Sequence, residues 1–251
     1  MKTSNPSRRH RMLTVSLSVL MMGAGLLFSS IVSAQGSIEG SVHDFSDGVG
    51  NDSWNTTGEI CIVCHTPHNT YDATEAQVGT GQVGPLWNRQ LTQVTNFSVY
   101  SSANRVGSFL EASTVASQST NPSGVSKLCL SCHDGTIAID SFGRAGDGSV
   151  FTGGTNTIDA INPNANIGEG VGTDGNLSND HPVAFTFPIT DTEIVPFASG
   201  FVTGQTAPLP LFGGGDQMEC ATCHDVHGTG NPTLLRIDNT GSALCLNCHI
   251  K

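Results

Sequence analysis

The chain has 251 residues and carries 10 Lys and Arg against 21 Asp and Glu, a formal net charge of −11, with only 6% aromatic and 12% charged residues. An acidic chain of this kind gives no electrostatic footing for nucleic acid or an anionic membrane surface. Its 30 glycines and few aromatics also leave too little apolar side chain for an ordinary core of this size, so something else must fill the interior.

Residues 1–34 read as an export signal peptide: Lys2, Arg8, Arg9 and Arg11 precede an apolar run from Met12 to Phe28, and Val32-Ser33-Ala34 is a small-residue cleavage site. Ser7-Arg8-Arg9 is only a faint twin-arginine pattern. The rival reading keeps the run as an uncleaved anchor. No cysteine near the cleavage site offers a lipid anchor, and no other apolar stretch is long enough to span a bilayer. The mature chain, expected from Gln35, keeps six basic against 21 acidic residues, a net −15 over 217 residues. A basic redox partner or a mineral surface suits that charge.

Four C-x-x-C-H motifs follow: Cys61 to His65, Cys129 to His133, Cys220 to His224 and Cys245 to His249, using all eight cysteines. This is the attachment signature of c-type haem. The pairs Cys61/Cys64, Cys129/Cys132, Cys220/Cys223 and Cys245/Cys248 are expected to form thioethers, and His65, His133, His224 and His249 to bind iron from the proximal side. Zinc knuckles and a disulfide framework are the rivals, but neither requires a histidine after every second cysteine. Four covalently bound haem c groups are therefore expected, and they supply the missing interior. In a chain whose radius of gyration is roughly 17 Å they must lie close together.

A six-coordinate haem needs a second axial ligand, usually Met or His. Beyond the leader only Met218 remains, whereas the spare histidines are His43, His68, His181 and His227, one for each iron. Every haem is thus expected to be bis-histidine, with no open site for substrate, so the chain carries electrons and is not an enzyme. In His65-Thr66-Pro67-His68 and His224-Asp225-Val226-His227 the two histidines lie three residues apart. Three extended residues span at most roughly 10 Å, too little to bind one iron from both faces. His68 and His227 should therefore each serve a neighbouring haem.

The motifs also repeat. The first and third are C-x-x-C-H-x-x-H; the second and fourth share S-x-L-C-L-x-C-H; a P-x-x-x-R segment, Pro85 to Arg89 or Pro232 to Arg236, lies within each pair. A lone histidine beside an aspartate, His43 or His181, precedes each. This reads as two tandem haem-pair units, about 35–140 and about 175–251, in a single tetrahaem domain over 35–251. On that order His68 serves the second haem, His227 the fourth and His181 the first. His43 then reaches the third haem of a preceding molecule, and such a head-to-tail contact propagates into a filament.

Ser41-Val42-His43-Asp44-Phe45-Ser46, the Cys61 to His68 run, Pro85-Leu86-Trp87-Asn88-Arg89 and Asp180-His181-Pro182-Val183 make the chain resemble the OmcE type of extracellular cytochrome nanowire. The resemblance implies self-association outside the cell, stacked haems in alternating parallel and T-shaped pairs, and an N-terminal histidine, here His43, on a haem of the adjacent subunit. Other redox proteins or extracellular acceptors would be its electron partners. The alternatives are a soluble periplasmic tetrahaem shuttle with all ligands in one chain, and a multihaem reductase with one open haem.

The fold class expected is mostly irregular coil organised around the haems, with short helical turns carrying the motifs and a few short strands. Ser126 and Ser242 are expected to start helices. Leu91 to Tyr100 and Val183 to Phe187 have strand composition. Gly143 to Asp180 reads as loop, its Asp147, Asp174 and Asp180 matching no calcium-loop spacing.

Overall fold

The computed structural model describes residues 38–46, 54–55, 57–66, 87–100, 118–143, 154–168, 174–189, 191–228 and 230–250. The chain divides into Met1–Gln35 and Gly36–Lys251, and all described residues belong to the second unit. The expected leader, His68 and Asp147 lie outside the described residues.

Regular structure is sparse and short, as the composition predicts. A 3-10 turn, Cys61–Val63, opens the first motif. Strand β1, Asn96–Val99, is followed by the ten-residue helix α1, Gly124–His133, and by α2, Ile158–Ile161. Then come β2 Asp174–Leu177, β3 Phe185–Thr186, β4 Phe197–Ala198, β5 Phe201–Thr203, β6 Pro208–Pro210 and β7 Gln217–Met218. Two short helices close the chain, α3 Cys220–Cys223 and α4 Ala243–Leu246. No helix among the described residues is long and apolar enough to cross a membrane.

Among the described residues the strands form three small sheets. β1 pairs in parallel with β2, β3 antiparallel with β7, and β4, β5 and β6 make an antiparallel ribbon. β2 lies inside the stretch expected to be loop. Its backbone pairs with β1 through Phe97 opposite Gly175, and a side chain at 175 would fall 2.4 Å from the Phe97 ring. The glycine that argued against a strand is what lets this one approach.

Apolar burial is divided among separate clusters. One gathers Phe185, Phe187, Val202, Leu209, Leu211, Met218 and Ile237 around the ribbon and β3, together with Cys248. Smaller ones form around Trp87, Leu91 and Leu128, and around Val94, Phe97, Leu130 and Leu177. Each cluster contains or flanks a C-x-x-C-H turn, so packing is local to the motifs.

Buried polar side chains tie the coil together. Asn247, between the last two cysteines, accepts from the Thr206 amide at 3.0 Å and donates to the Ala207 carbonyl at 2.8 Å. Its own carbonyl lies 2.0 Å from where a Gly204 side chain would begin, so residue 204 must be glycine. Asn247→Ala should cost about 1–3 kcal/mol by removing the two hydrogen bonds that this buried side chain makes to Thr206 and Ala207, read as a lowered unfolding midpoint.

Candidate functional site

Each C-x-x-C-H motif sits on a helical turn, and the reason is geometric. Residues i, i+3 and i+4 of a helix share a face, so one turn presents both sulfurs and the following imidazole on one side. The His65, His224 and His249 amides donate to the first cysteine's carbonyl at 2.8, 3.0 and 2.9 Å. The second motif ends α1. All eight cysteines are unpaired, and no three His, Cys, Asp or Glu among the described residues converge as a metal cage. No disulfide joins the eight thiols here, and no cluster of zinc-knuckle ligands is seen among the described residues.

The histidines come together in pairs. The rings of His43 and His133 have centres 6.0 Å apart, those of His65 and His227 6.2 Å, and those of His181 and His249 6.4 Å. An imidazole nitrogen bonds a transition metal at about 2 Å, and the ring centre lies about 1 Å beyond it. Two imidazoles on opposite sides of one metal therefore have centres about 6 Å apart. Each pair joins one motif histidine to one spare histidine.

Three of the imidazoles have an Nδ1 hydrogen bond to a backbone carbonyl, whereas His43 Nδ1 is buried without a hydrogen-bond partner. Metal-binding imidazoles usually donate their second N–H to a carbonyl or carboxylate, leaving the other nitrogen free for the metal. His133 Nδ1 donates to the Ala165 carbonyl at 2.6 Å, His224 Nδ1 to Thr233 at 2.9 Å and His181 Nδ1 to Pro182 at 2.9 Å. His227 Nδ1 lies 3.6 Å from the Asp225 carboxylate. Burial, reinforced by the charges of His133 and His224, pushes His43 down to about 4, and burial also lowers His133. Burial thus favours the neutral form of both rings, the form that binds iron.

Residues 213–251 match the family of the doubled CXXCH motif. No curated protein matches the chain. The matched segment is thus a multihaem c-type cytochrome-like region, whose CXXCH motifs bind haem c covalently and whose activity is electron transfer.

The attachment sites follow one another in space. Cys64 lies within electrostatic reach of Cys132, Cys129 is hydrogen-bonded to Cys220, and Cys223 is near Cys248 and Cys245. Burial pushes the Cys64 and Cys223 thiols up to about 12 and Cys248 to about 11, which places these sulfurs in apolar surroundings suited to a porphyrin edge.

The ring contacts follow a different order from the tandem expectation: His227 lies beside His65, His181 beside His249 and His43 beside His133. His43 is anchored where it lies: Phe45 touches it edge-on, Trp54 packs on Phe45, and Phe142 packs on Trp54. Asn55 donates to the Phe45 carbonyl at 2.8 Å and to Glu59 at 3.0 Å, tying this segment to the first motif. His68 lies outside the described residues.

The P-x-x-x-R repeat is also shifted by one residue. Trp87 bridges His65 as Leu235 bridges His224. The amides of Asn88 and Arg236 donate to the Cys64 and Cys223 carbonyls at 2.9 and 2.8 Å. Their side chains reach Ile62 and Ala221, at 2.6 and 2.7 Å. Asn88, not Arg89, is the counterpart of Arg236.

One functional residue escaped the sequence reading. Glu219 caps α3 in a box with Thr222. Its buried carboxylate also accepts from the Ser126 amide at 3.2 Å and the Ser126 hydroxyl, while the Cys220 amide donates to Ser126 Oγ at 3.0 Å. Ser126, expected to start α1, lies at its third position after Ser123 and serves this junction. The two helices carrying the second and third motifs are thereby locked together. A glutamate directly before C-x-x-C was the available signal. Ser242 does precede α4 as expected.

Proposed function

We propose that the chain is a self-contained tetrahaem electron-transfer cytochrome in which every iron is held by two histidines of the same chain. The observation that carries this is the set of three histidine pairs at axial spacing. His43 and His133 would hold the second haem, His65 and His227 the first, and His181 and His249 the fourth. His224 is left for the third haem, with His68 as the spare histidine not already assigned. Bound haem supplies a one-electron couple at each iron, and a filled sixth position excludes substrate. The residues position the cofactors: C-x-x-C turns fix one edge, Nδ1 bonds orient the imidazoles, and the Glu219–Ser126 junction sets two attachment helices side by side.

Export and attachment of haem outside the cytoplasm accompany this reading, with a basic redox partner favoured by the acidic mature chain. The extracellular filament implied by the resemblance is the rival proposal; in it His43 completes a haem of the next subunit. The cis position of His43 favours the self-contained carrier.

The angle between paired imidazole planes provides a spectroscopic test. It is 15° for His65 with His227, 50° for His43 with His133 and 69° for His181 with His249. Near-parallel axial planes lift the degeneracy of the iron d orbitals and give a rhombic low-spin paramagnetic-resonance signal; steeply crossed planes give a highly anisotropic one. Oxidised holoprotein should carry four haems and show both signal types. A large high-spin component would defeat the assignment.

A further inference from the structure

Position by position, the surroundings of the first and third motifs differ in charge. Thr66, Asn88 and Arg89 follow and flank the first; Asp225, Arg236 and Ile237 occupy the matching places at the third, by the shared bridges and carbonyl bonds. Arg236 is neutralised by Asp225 at 3.0 Å. Arg89 is 0% exposed, its two terminal nitrogens donate to the Ile139 and Ala138 carbonyls at 2.6 and 2.8 Å, and its Nε has no partner. Among the described residues no carboxylate pairs with it.

A guanidinium does not shed its proton, so Arg89 is a permanent cation in the interior. Burying one without an anion is costly, and Ile237, 4% exposed, shows that an aliphatic residue fills the equivalent place. A cation beside a haem favours the ferrous over the ferric state, because reduction removes one positive charge from the iron centre. In a low-dielectric interior that effect is strong and poorly screened by salt. Arg89 is placed to act on the first haem: the residue before it is bonded to the Cys64 carbonyl, and Trp87 packs edge-on against His65 at 6.1 Å. The other buried charges among the described residues are Asp44, Asp134 and Glu219, each hydrogen-bonded away from the Arg89 guanidinium: Asp44 to Gly40 and Ser46, Asp134 to Thr92 and Thr136, and Glu219 to Ser126.

We propose that Arg89 holds the haem on Cys61 and Cys64 at a higher reduction potential than its counterpart on Cys220 and Cys223, so that two sites built from the same motif form a directional step. The step is a one-electron transfer from the third haem to the first; one iron goes from ferrous to ferric, the other from ferric to ferrous, and no bond is made or broken. This rests on the tetrahaem reading above.

The test is a stepwise redox titration of holoprotein in which the haem-methyl proton resonances, assigned to each haem, resolve the midpoint potentials. In wild type the first haem should be reduced ahead of the third. Arg89→Gln, which removes the charge, should lower the first haem's potential and leave the third almost unmoved, whereas Arg89→Lys should keep it near wild type. The reverse order in wild type, or an unshifted first haem in a four-haem Arg89→Gln protein, overturns the proposal. If Arg89→Gln does not take up four haems, the wild-type order and the lysine variant decide. Wild-type protein lacking four low-spin haems would instead defeat the underlying functional reading.

Discussion

Replacing His43 by alanine is expected to turn one haem in four of the dilute, isolated chain from low-spin to high-spin and to let that haem bind carbon monoxide when reduced. His43 faces His133 at 6.0 Å and is fastened by Phe45, Trp54 and Phe142, so removing it opens one iron without help from any neighbour. If His43 belongs to a filament contact instead, the dilute wild-type chain already has an open haem, and assembly closes it. Visible spectra of wild type and variant across a dilution series separate the two. A dilute wild type that is wholly low-spin, with a variant that is not, supports the self-contained carrier.

Glu219→Ala is expected to produce the largest loss of stability outside the haem ligands, about 3–5 kcal/mol. Ser126 is 0% exposed, and the substitution strands its amide and hydroxyl while removing the cap of α3. Against a typical total of about 5–15 kcal/mol, that is enough to loosen the second and third haem sites. Thermal unfolding of the holoprotein, with haem content measured in parallel, checks this; Glu219→Gln, which keeps an acceptor, should cost less. The same residue introduces pH dependence. Burial raises the Glu219 pKa above its ordinary 4.5, so the folded chain holds the proton more tightly than the unfolded chain. Its contribution is full below 4.5 and is lost as pH rises through the folded value. Glu219→Gln should flatten stability across that window, and an unchanged profile would remove Glu219 as its cause.

The chemistry was legible in the residues because covalent haem attachment imposes a rigid local spacing. Cysteines three apart with histidine next lie on one face of any helical turn, whatever surrounds it. The match of four spare histidines to four motifs was legible for the same reason, as a matter of ligand number. Partnership was not, because it depends on how distant coil segments pack. His227 meets His65 across most of the mature chain, and no local pattern distinguishes that from the tandem alternative.

The remaining differences have similar origins. P-x-x-x-R aligned Arg89 with Arg236, yet backbone bonds to Cys64 and Cys223 pair Asn88 with Arg236, since hydrogen bonding reads register and a motif reads only identity. β2 was hidden because a glycine beside a bulky ring looks like loop until Phe97 is seen across the ladder. The amino-acid order alone determined an acidic, cysteine-paired chain built to carry haem on helical turns, since those properties follow from neighbours within five residues. Only the tertiary structure decided which imidazoles lie side by side, that His43 packs against Phe45 and His133, and that Arg89 is buried with no carboxylate paired to it among the described residues, because each depends on segments far apart in the chain meeting in a shared, dry interior.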